Sequence, residues 1–441
     1  MKRLGIVSVG LALVVLAACG GGQQEVRVSG REGEATPTEI PAPTPTSIPT
    51  PAVTPIATPT AAPTEIPART PTQGLPATLA PTPQTQTAAT MEAGLYVVRP
   101  DGSGLRELLS GQRGLISPFQ WSPDGKRVAI VAGPCGHTKV LVAEPDSESV
   151  QELTGFTGLP ADITWAPDSR RLLVHVSELG PDAGLPRVFL LDTGGQAVPE
   201  ELFRGNHPVW SPDGDSIAYT DLVGNSWNVK VLNVADGVTT SVADGLDMVS
   251  AIAWAPGGQR LAYTTLDGAV VVDADGGGRR VVASGPPWAG PVWMPDGQRL
   301  VVGGPESVGL ASAAGGPIQV LRTGFAFDVS SDGRFVAVYD NLGDRGTEIE
   351  VFDVVAGGSH VVTGSLVPMG NVVSLSPDGT QLLFNAQAAP TGGRLELYVV
   401  NVDGTALRKL VQPTVAIGGG ADWSADGRFI VFNDTVATAC E

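Results

Sequence analysis

The residues that most often carry chemistry are scarce in this chain. Its 441 residues include three cysteines and four histidines, and aromatics make up 5%. It has no C-x-x-C, H-E-x-x-H, Walker sequence, dinucleotide fingerprint or G-x-S-x-G nucleophile elbow. Those metal, phosphate, dinucleotide and acyl-transfer sites are therefore excluded as motifs. Positive charge is also in deficit, with 27 Lys and Arg against 45 Asp and Glu, a formal charge of −18. That balance argues against nucleic acid as a partner, because a basic footprint is needed there. It argues equally against lying flat on anionic lipid. The apolar run at the start, Gly5 to Ala17, holds thirteen apolar or small residues. It is too short to remain as a membrane span.

What is present begins with MKRLGIVSVGLALVVLAAC. Lys2 and Arg3 followed by the apolar run read as an export signal, residues 1–18. Leu16-Ala17-Ala18-Cys19 resembles the lipobox of bacterial lipoproteins. The resemblance implies cleavage before Cys19 and acylation of that residue, so the lipid bilayer becomes a partner through the N-terminal anchor. Residues 19–93 then read as a lipidated start and a linker. Residues 36–90 hold 14 of the 37 prolines, mostly as Thr-Pro or Pro-Thr, and no apolar period. Such a segment cannot bury a core and favours extended polyproline geometry. The globular part is expected over 94–441.

There one phrase recurs eight times. It reads WSPDGKRVAIV from Trp121, WAPDSRRLLVH from Trp165, WSPDGDSIAYT from Trp210 and WAPGGQRLAYT from Trp254. It continues as WMPDGQRLVVG from Trp293, VSSDGRFVAVY from Val329, LSPDGTQLLFN from Leu375 and WSADGRFIVFN from Trp423. Pro123 presets φ, Asp124 tolerates the bridge region and Gly125 takes positive φ, which makes a tight turn between two strands. The run that follows each turn reads as a strand buried on both faces. A second unit alternates with the first, as in LYVVRPDGSGLRELL from Leu95 and VKVLNVADGVTTSVA from Val229. It is a strand, a Gly/Asp turn and a strand.

The phrase resembles the TolB-type propeller repeat over residues 94 to 433. Departures are local: Ser169 stands for the turn glycine, Gly257 for the aspartate, Ser331 and Ala425 for the proline, and Val329 and Leu375 for the tryptophan. The expected fold is all-β, an eight-bladed propeller of four-stranded antiparallel blades, with seven blades as the alternative. The chain starts with an outer pair and ends with an inner pair, so the two ends are expected to share one blade. That closure would make the blades before Cys135 and Cys440 neighbours, and a disulfide between those cysteines is expected in an exported protein.

Few residues stand outside this repeat. Asp162, Asp328 and Asp422 fall in or near inner strands, as an acidic rim to the channel or a weak cation site. His137, His175, His207 and His360 lie in four different blades, and His207 alone is placed just before an inner strand. No cofactor and no metal site are expected. DADGGG from Asp273 and NVDGT from Asn401 read as hairpin turns rather than calcium loops. Trp227, assigned to the loop between second and third strands, and Trp288, between blades, are off-pattern. With His207 they mark a candidate binding face, since exposed tryptophans anchor interfaces. The function this implies is a non-enzymatic binding or scaffolding module in the bacterial cell envelope, for a protein, peptide or glycan. The alternative is a polysaccharide lyase or hydrolase working at the channel mouth.

Overall fold

The computed structural model describes residues 93–112, 115–133, 137–178, 184–194, 198–285, 289–304, 307–322, 324–341, 347–387, 395–411 and 420–434. These form eight four-stranded antiparallel sheets, the eight blades expected. Blade 1 is built from both ends of the chain. Its strands are Arg106–Gln112, Ala93–Val98, Ile430–Asn433 and Ala421–Trp423 in spatial order. Tyr96 pairs with Phe432 and Val98 with Ile430, so the ring is closed by hydrogen bonds. The Asp434 carboxylate reinforces the seam by accepting from the Gly94 N–H at 2.6 Å and the Tyr96 hydroxyl at 3.2 Å. Burial, and that carboxylate with it, pushes Tyr96 up to about 12.

Blades 2 to 8 each run in chain order from the channel outward. Blade 2 comprises Leu115–Trp121, Val128–Gly133, His137–Glu144 and Ser149–Thr157, and blade 6 comprises Ala289–Trp293, Arg299–Gly303, Val308–Ser312 and Gln319–Arg322. Blade 7 comprises Phe325–Val329, Phe335–Asn341, Thr347–Asp353 and Ser359–Val361, and blade 8 comprises Val367–Leu375, Gln381–Gln387, Glu396–Asn401 and Arg408–Lys409. Blade 3 comprises Leu159–Trp165, Arg171–Ser177, Arg187–Asp192 and Glu200–Arg204. Blade 4 comprises Asn206–Trp210, Ser216–Val223, Ser226–Asn233 and Thr239–Leu246. Blade 5 comprises Ala251–Trp254, Arg260–Thr265, Gly268–Asp273 and Arg280–Ser284. Antiparallel order puts the first-to-second and third-to-fourth connections at one end of the channel, the turn face. The second-to-third turns and the crossings between blades lie at the other, the loop face.

The repeated phrase forms both the turn and the joint between blades. In blade 2, the Ser122 hydroxyl donates to the Asp124 carboxylate at 2.6 Å, and Gly125, at φ 72°, donates to the Ser122 carbonyl at 2.8 Å. Where Ser169 replaces this glycine it adopts φ 58°. Its hydroxyl accepts from the Asp124 N–H of blade 2 at 3.0 Å, which offsets the strained backbone. Each repeat tryptophan then reaches backwards. The Trp165 indole donates to the Gln120 carbonyl, Trp210 to Thr164, Trp254 to Val209, Trp293 to Ala253, Trp423 to Ser374 and Trp121 to Asp422. Six of the eight blade interfaces carry this bond, each worth about 1 kcal/mol. An arginine six residues after the tryptophan reaches forwards. Arg171 lies 4.9 Å over the Trp210 ring and donates to the Gly214 carbonyl at 2.9 Å, and Arg260 treats Trp293 and Gly297 alike. Arg299 faces a blade whose tryptophan is Val329, and it turns back to its own Asp296 instead, at 2.8 Å.

Candidate functional site

At the loop face the repeat gives way to individual residues. Most inner strands carry a bulge near their start, as between Asn206 and Val209 or Pro160 and Asp162. A bulge frees backbone groups that must find partners. The fourth residue of the run after each turn supplies several of them. Thr220 donates to the Asn206 carbonyl at 3.2 Å, and the Asn385 side chain accepts from the Val372 N–H at 3.3 Å. Asn433 accepts from Gly420 at 3.0 Å and donates across to Ile116 at 3.3 Å in the next blade. Thr220, Thr264, Asn385 and Asn433 are all buried. Four of the runs that read as continuously apolar therefore end in a buried polar position.

His175 is the blade 3 member of this set. Its Nε2 lies 3.1 Å from the Gly205 carbonyl at the entry to blade 4. That bond fixes the neutral tautomer carrying hydrogen on Nε2. Burial holds its pKa down at about 4, with neighbouring His207 adding like-charge repulsion. Directly across the strand pair stands Asp162. Burial lifts its carboxyl to about 6, against a single opposing bond from the Ile163 N–H. His207, the second residue of its strand, has φ 54° and an exposed side chain. Crowding by protein on its other sides lowers its pKa. The fold thus sets Asp162 across from His175, and His175 within the field of His207. His175 was the member not singled out. Its signal was an ionisable side chain at the end of an otherwise apolar run.

The other sequence candidates separate. Asp328 is not a solvated rim residue: it is 8% exposed, and its carboxylate accepts from the Val329 N–H at 2.8 Å and the Leu375 N–H at 2.7 Å. It bonds blade 7 to blade 8 at an interface without an indole. Asp422 accepts from Trp423 at 2.8 Å and from the Ser374 hydroxyl at 3.3 Å. The DADGGG and NVDGT segments are hairpin turns closed by Gly276 donating to Asp273 and Gly404 donating to Asn401. Among the described residues no group of three His, Cys, Asp or Glu is arranged to hold a metal. Trp288, Cys19, Cys135 and Cys440 lie outside the described residues.

Trp227 is found in a strand, not in the loop expected for it. It is the second residue of Ser226–Asn233, because the turn before it needs only Gly224, at φ 63°, and Asn225. Leu222 faces it on one side and Leu246 on the other, so the three form a row across the loop-face end of blade 4. Trp227 and Leu246 pack against the Ile252, Trp254 and Tyr263 cluster of blade 5 and remain partly accessible. The row ends in a groove of about 380 Å³ between blades 4 and 5, lined by Asp244, Leu246, Asp247, Leu266, Asp267 and Arg279, among others.

No family model matches the chain. The cell division protein FtsZ of Haemophilus influenzae is 38% identical over 82 residues, which is 18% of this chain and 19% of that protein. Among solved structures, a putative TolB from Agrobacterium tumefaciens is 17% identical, covering 79% of this chain and 100% of that one, with a TM-score of 0.38. TolB from Acinetobacter baumannii is 14% identical, covering 78% and 64%, with a TM-score of 0.34. An oligogalacturonate lyase from Vibrio parahaemolyticus is 12% identical, covering 79% and 98%, with a TM-score of 0.49. Likeness this distant brings no ligand or activity to the present chain. The chain is an eight-bladed propeller similar to solved TolB proteins, and its site must be read from its own residues.

Proposed function

We propose that the protein is a binding module held at the outer surface of a bacterial membrane, with the loop face of its propeller as the contact surface for an envelope protein, peptide or glycan. The observation that supports this reading is the partly accessible row Leu222, Trp227 and Leu246. Large apolar side chains left open at the end of a blade are what interface anchors look like. The anchor is the acyl chain on Cys19, and residues 20–93 are the tether. A photo-crosslinking residue at Val223, 62% exposed in the blade 4 turn, tests the contact surface. Val238, 59% exposed on the turn face, is the control. An adduct from Val223 and none from Val238 is the expected result. Adducts from neither, or only from Val238, sink the reading. Treatment of the intact cell fraction with an acyl-specific label should mark Cys19 and lose the mark in Cys19→Ser. Mass spectrometry of the unreduced protein should show Cys135 and Cys440 in one linked pair of peptides, and two alkylatable thiols would refute the bridge.

A second reading rests on Asp162 and His207. A carboxyl with a pKa of about 6 and a solvent-accessible imidazole, each next to His175, have the properties of a general acid and base. This favours a lyase or hydrolase acting at the channel mouth. Turnover of a polysaccharide panel by the full chain, abolished in Asp162→Asn, would support it, and an inactive wild type would end it.

A further inference from the structure

The following inference rests on the loop face being a binding surface, and concerns what its occupant carries. Blades 4 and 5 have two-residue turns between second and third strands, Gly224-Asn225 and Leu266-Asp267. In blades 2, 3, 6, 7 and 8 the same connection takes three to nine residues. The short turns leave the seam between blades 4 and 5 uncovered, and apolar side chains emerge there. Leu266 is 52% exposed and Met248 41%. Two groove carboxylates, Asp247 and Asp267, are also left without a cation, whereas Asp244 accepts from the Ser241 hydroxyl at 2.5 Å and lies in the field of Lys230. Asp244, Asp247, Asp267 and Arg279 line the groove, and among the described residues none of them enters an ion pair. With Asp244 set against Lys230, Asp247 and Asp267 against Arg279 leave the groove net negative beside its apolar wall.

We propose that this groove takes a peptide segment in which a lysine or arginine adjoins an aliphatic side chain. Asp247 and Asp267 receive the cation. Leu246 and Leu266 receive the aliphatic group. Arg279 donates its Nε–H to the Tyr263 hydroxyl at 3.0 Å, which steadies the guanidinium while its remaining N–H groups face the groove as donors for a main-chain carbonyl. A peptide satisfies all three requirements at once. A glycan lacks the cation, and an acidic peptide meets the wrong sign.

The test uses the full chain and three fluorescent probes, read by anisotropy. Leu-Lys-Val-Arg-Leu should bind. Leu-Glu-Val-Glu-Leu and Ser-Lys-Ser-Arg-Ser should each bind about ten-fold more weakly or not at all, as expected when charge and apolar contact are both needed. Asp247→Asn with Asp267→Asn should weaken the first probe about five-fold, an exposed-pair magnitude, and salt should mimic the loss. Leu266→Ser should weaken it similarly while leaving the thermal midpoint unmoved. Equal binding of the three probes, or full affinity in both variants, overturns the proposal. So does a concentration-dependent dimer that the same variants dissolve, since that places a second copy in the groove. If Val223 still crosslinks a partner in both variants, the groove inference falls and the binding-surface reading stands. If no loop-face position crosslinks, both fall.

Discussion

The two ends of the channel are built on different terms. At the turn face the same few side chains recur around the ring, and they bond within their own turn or to a neighbouring blade. Trp210 illustrates this: its indole holds Thr164 behind it and its ring carries Arg171. At the loop face the described residues differ from blade to blade, and ionisable or apolar groups are left accessible. Repetition at one end supplies stability. That frees the other end to vary.

The largest expected effect tests the turn face. Trp210→Ala removes a buried ring, an indole bond and the seat of Arg171, and should cost about 3–5 kcal/mol in denaturant unfolding. Trp210→Phe keeps the packing and should lose only about 1 kcal/mol. If the two cost the same, the indole bond carries the interface and the packing does not. Next comes Asp328→Ala, which strands the Val329 and Leu375 N–H groups where no indole supports the blades. It should cost about 2–3 kcal/mol, and Asp328→Asn about half that. A negligible loss would mean that blades 7 and 8 are held by apolar packing alone.

The channel mouth makes a pH prediction of similar size. Asp162, with its pKa raised to about 6, is native-favoured when protonated, so its contribution falls as pH rises from about 4 through 6. His175, with its pKa lowered to about 4, is native-favoured when neutral. Its contribution therefore falls in the opposite direction, as pH drops from 6.5 toward 4. The two slopes oppose each other across one strand pair, and wild-type stability should be nearly flat from pH 4 to 6. Asp162→Asn should expose the His175 slope, with stability rising with pH. His175→Gln should expose the Asp162 slope, with stability falling, by about 2 kcal/mol in each case. Identical pH profiles in all three proteins would refute the opposition. The smallest effect belongs to Leu266→Ser, which should move stability by less than about 0.5 kcal/mol, because its half-exposed turn carries no joint between blades.

The blade count and the shared first blade could be read from the sequence because the repeat fixes its residues at constant offsets, so a local turn specifies a global ring. The loop face was harder to read, and for a physical reason. His175, Thr220 and Asn385 sit at the ends of apolar runs, and their polarity matters because a backbone group at or beside the start of an inner strand needs a partner. Trp227 was read as loop because GNSWN is rich in turn formers, whereas a two-residue turn lets the strand resume at Ser226. Asp328 looked like a rim carboxylate because nothing local reveals that Leu375, forty-seven residues on, presents its N–H to it.

The shared blade also has a consequence for synthesis. The strand Ala93–Val98 is made first, yet its inner neighbour, Ile430–Asn433, is made last. Until then Ala93–Val98 is paired on one side only. A nascent chain can stack seven blades, but the ring stays open until its final strands arrive. Any truncation before Asn433 leaves that edge unpaired, ready for proteolysis or for joining another chain. Closure thus works as a check that only a chain extending through Asn433 passes.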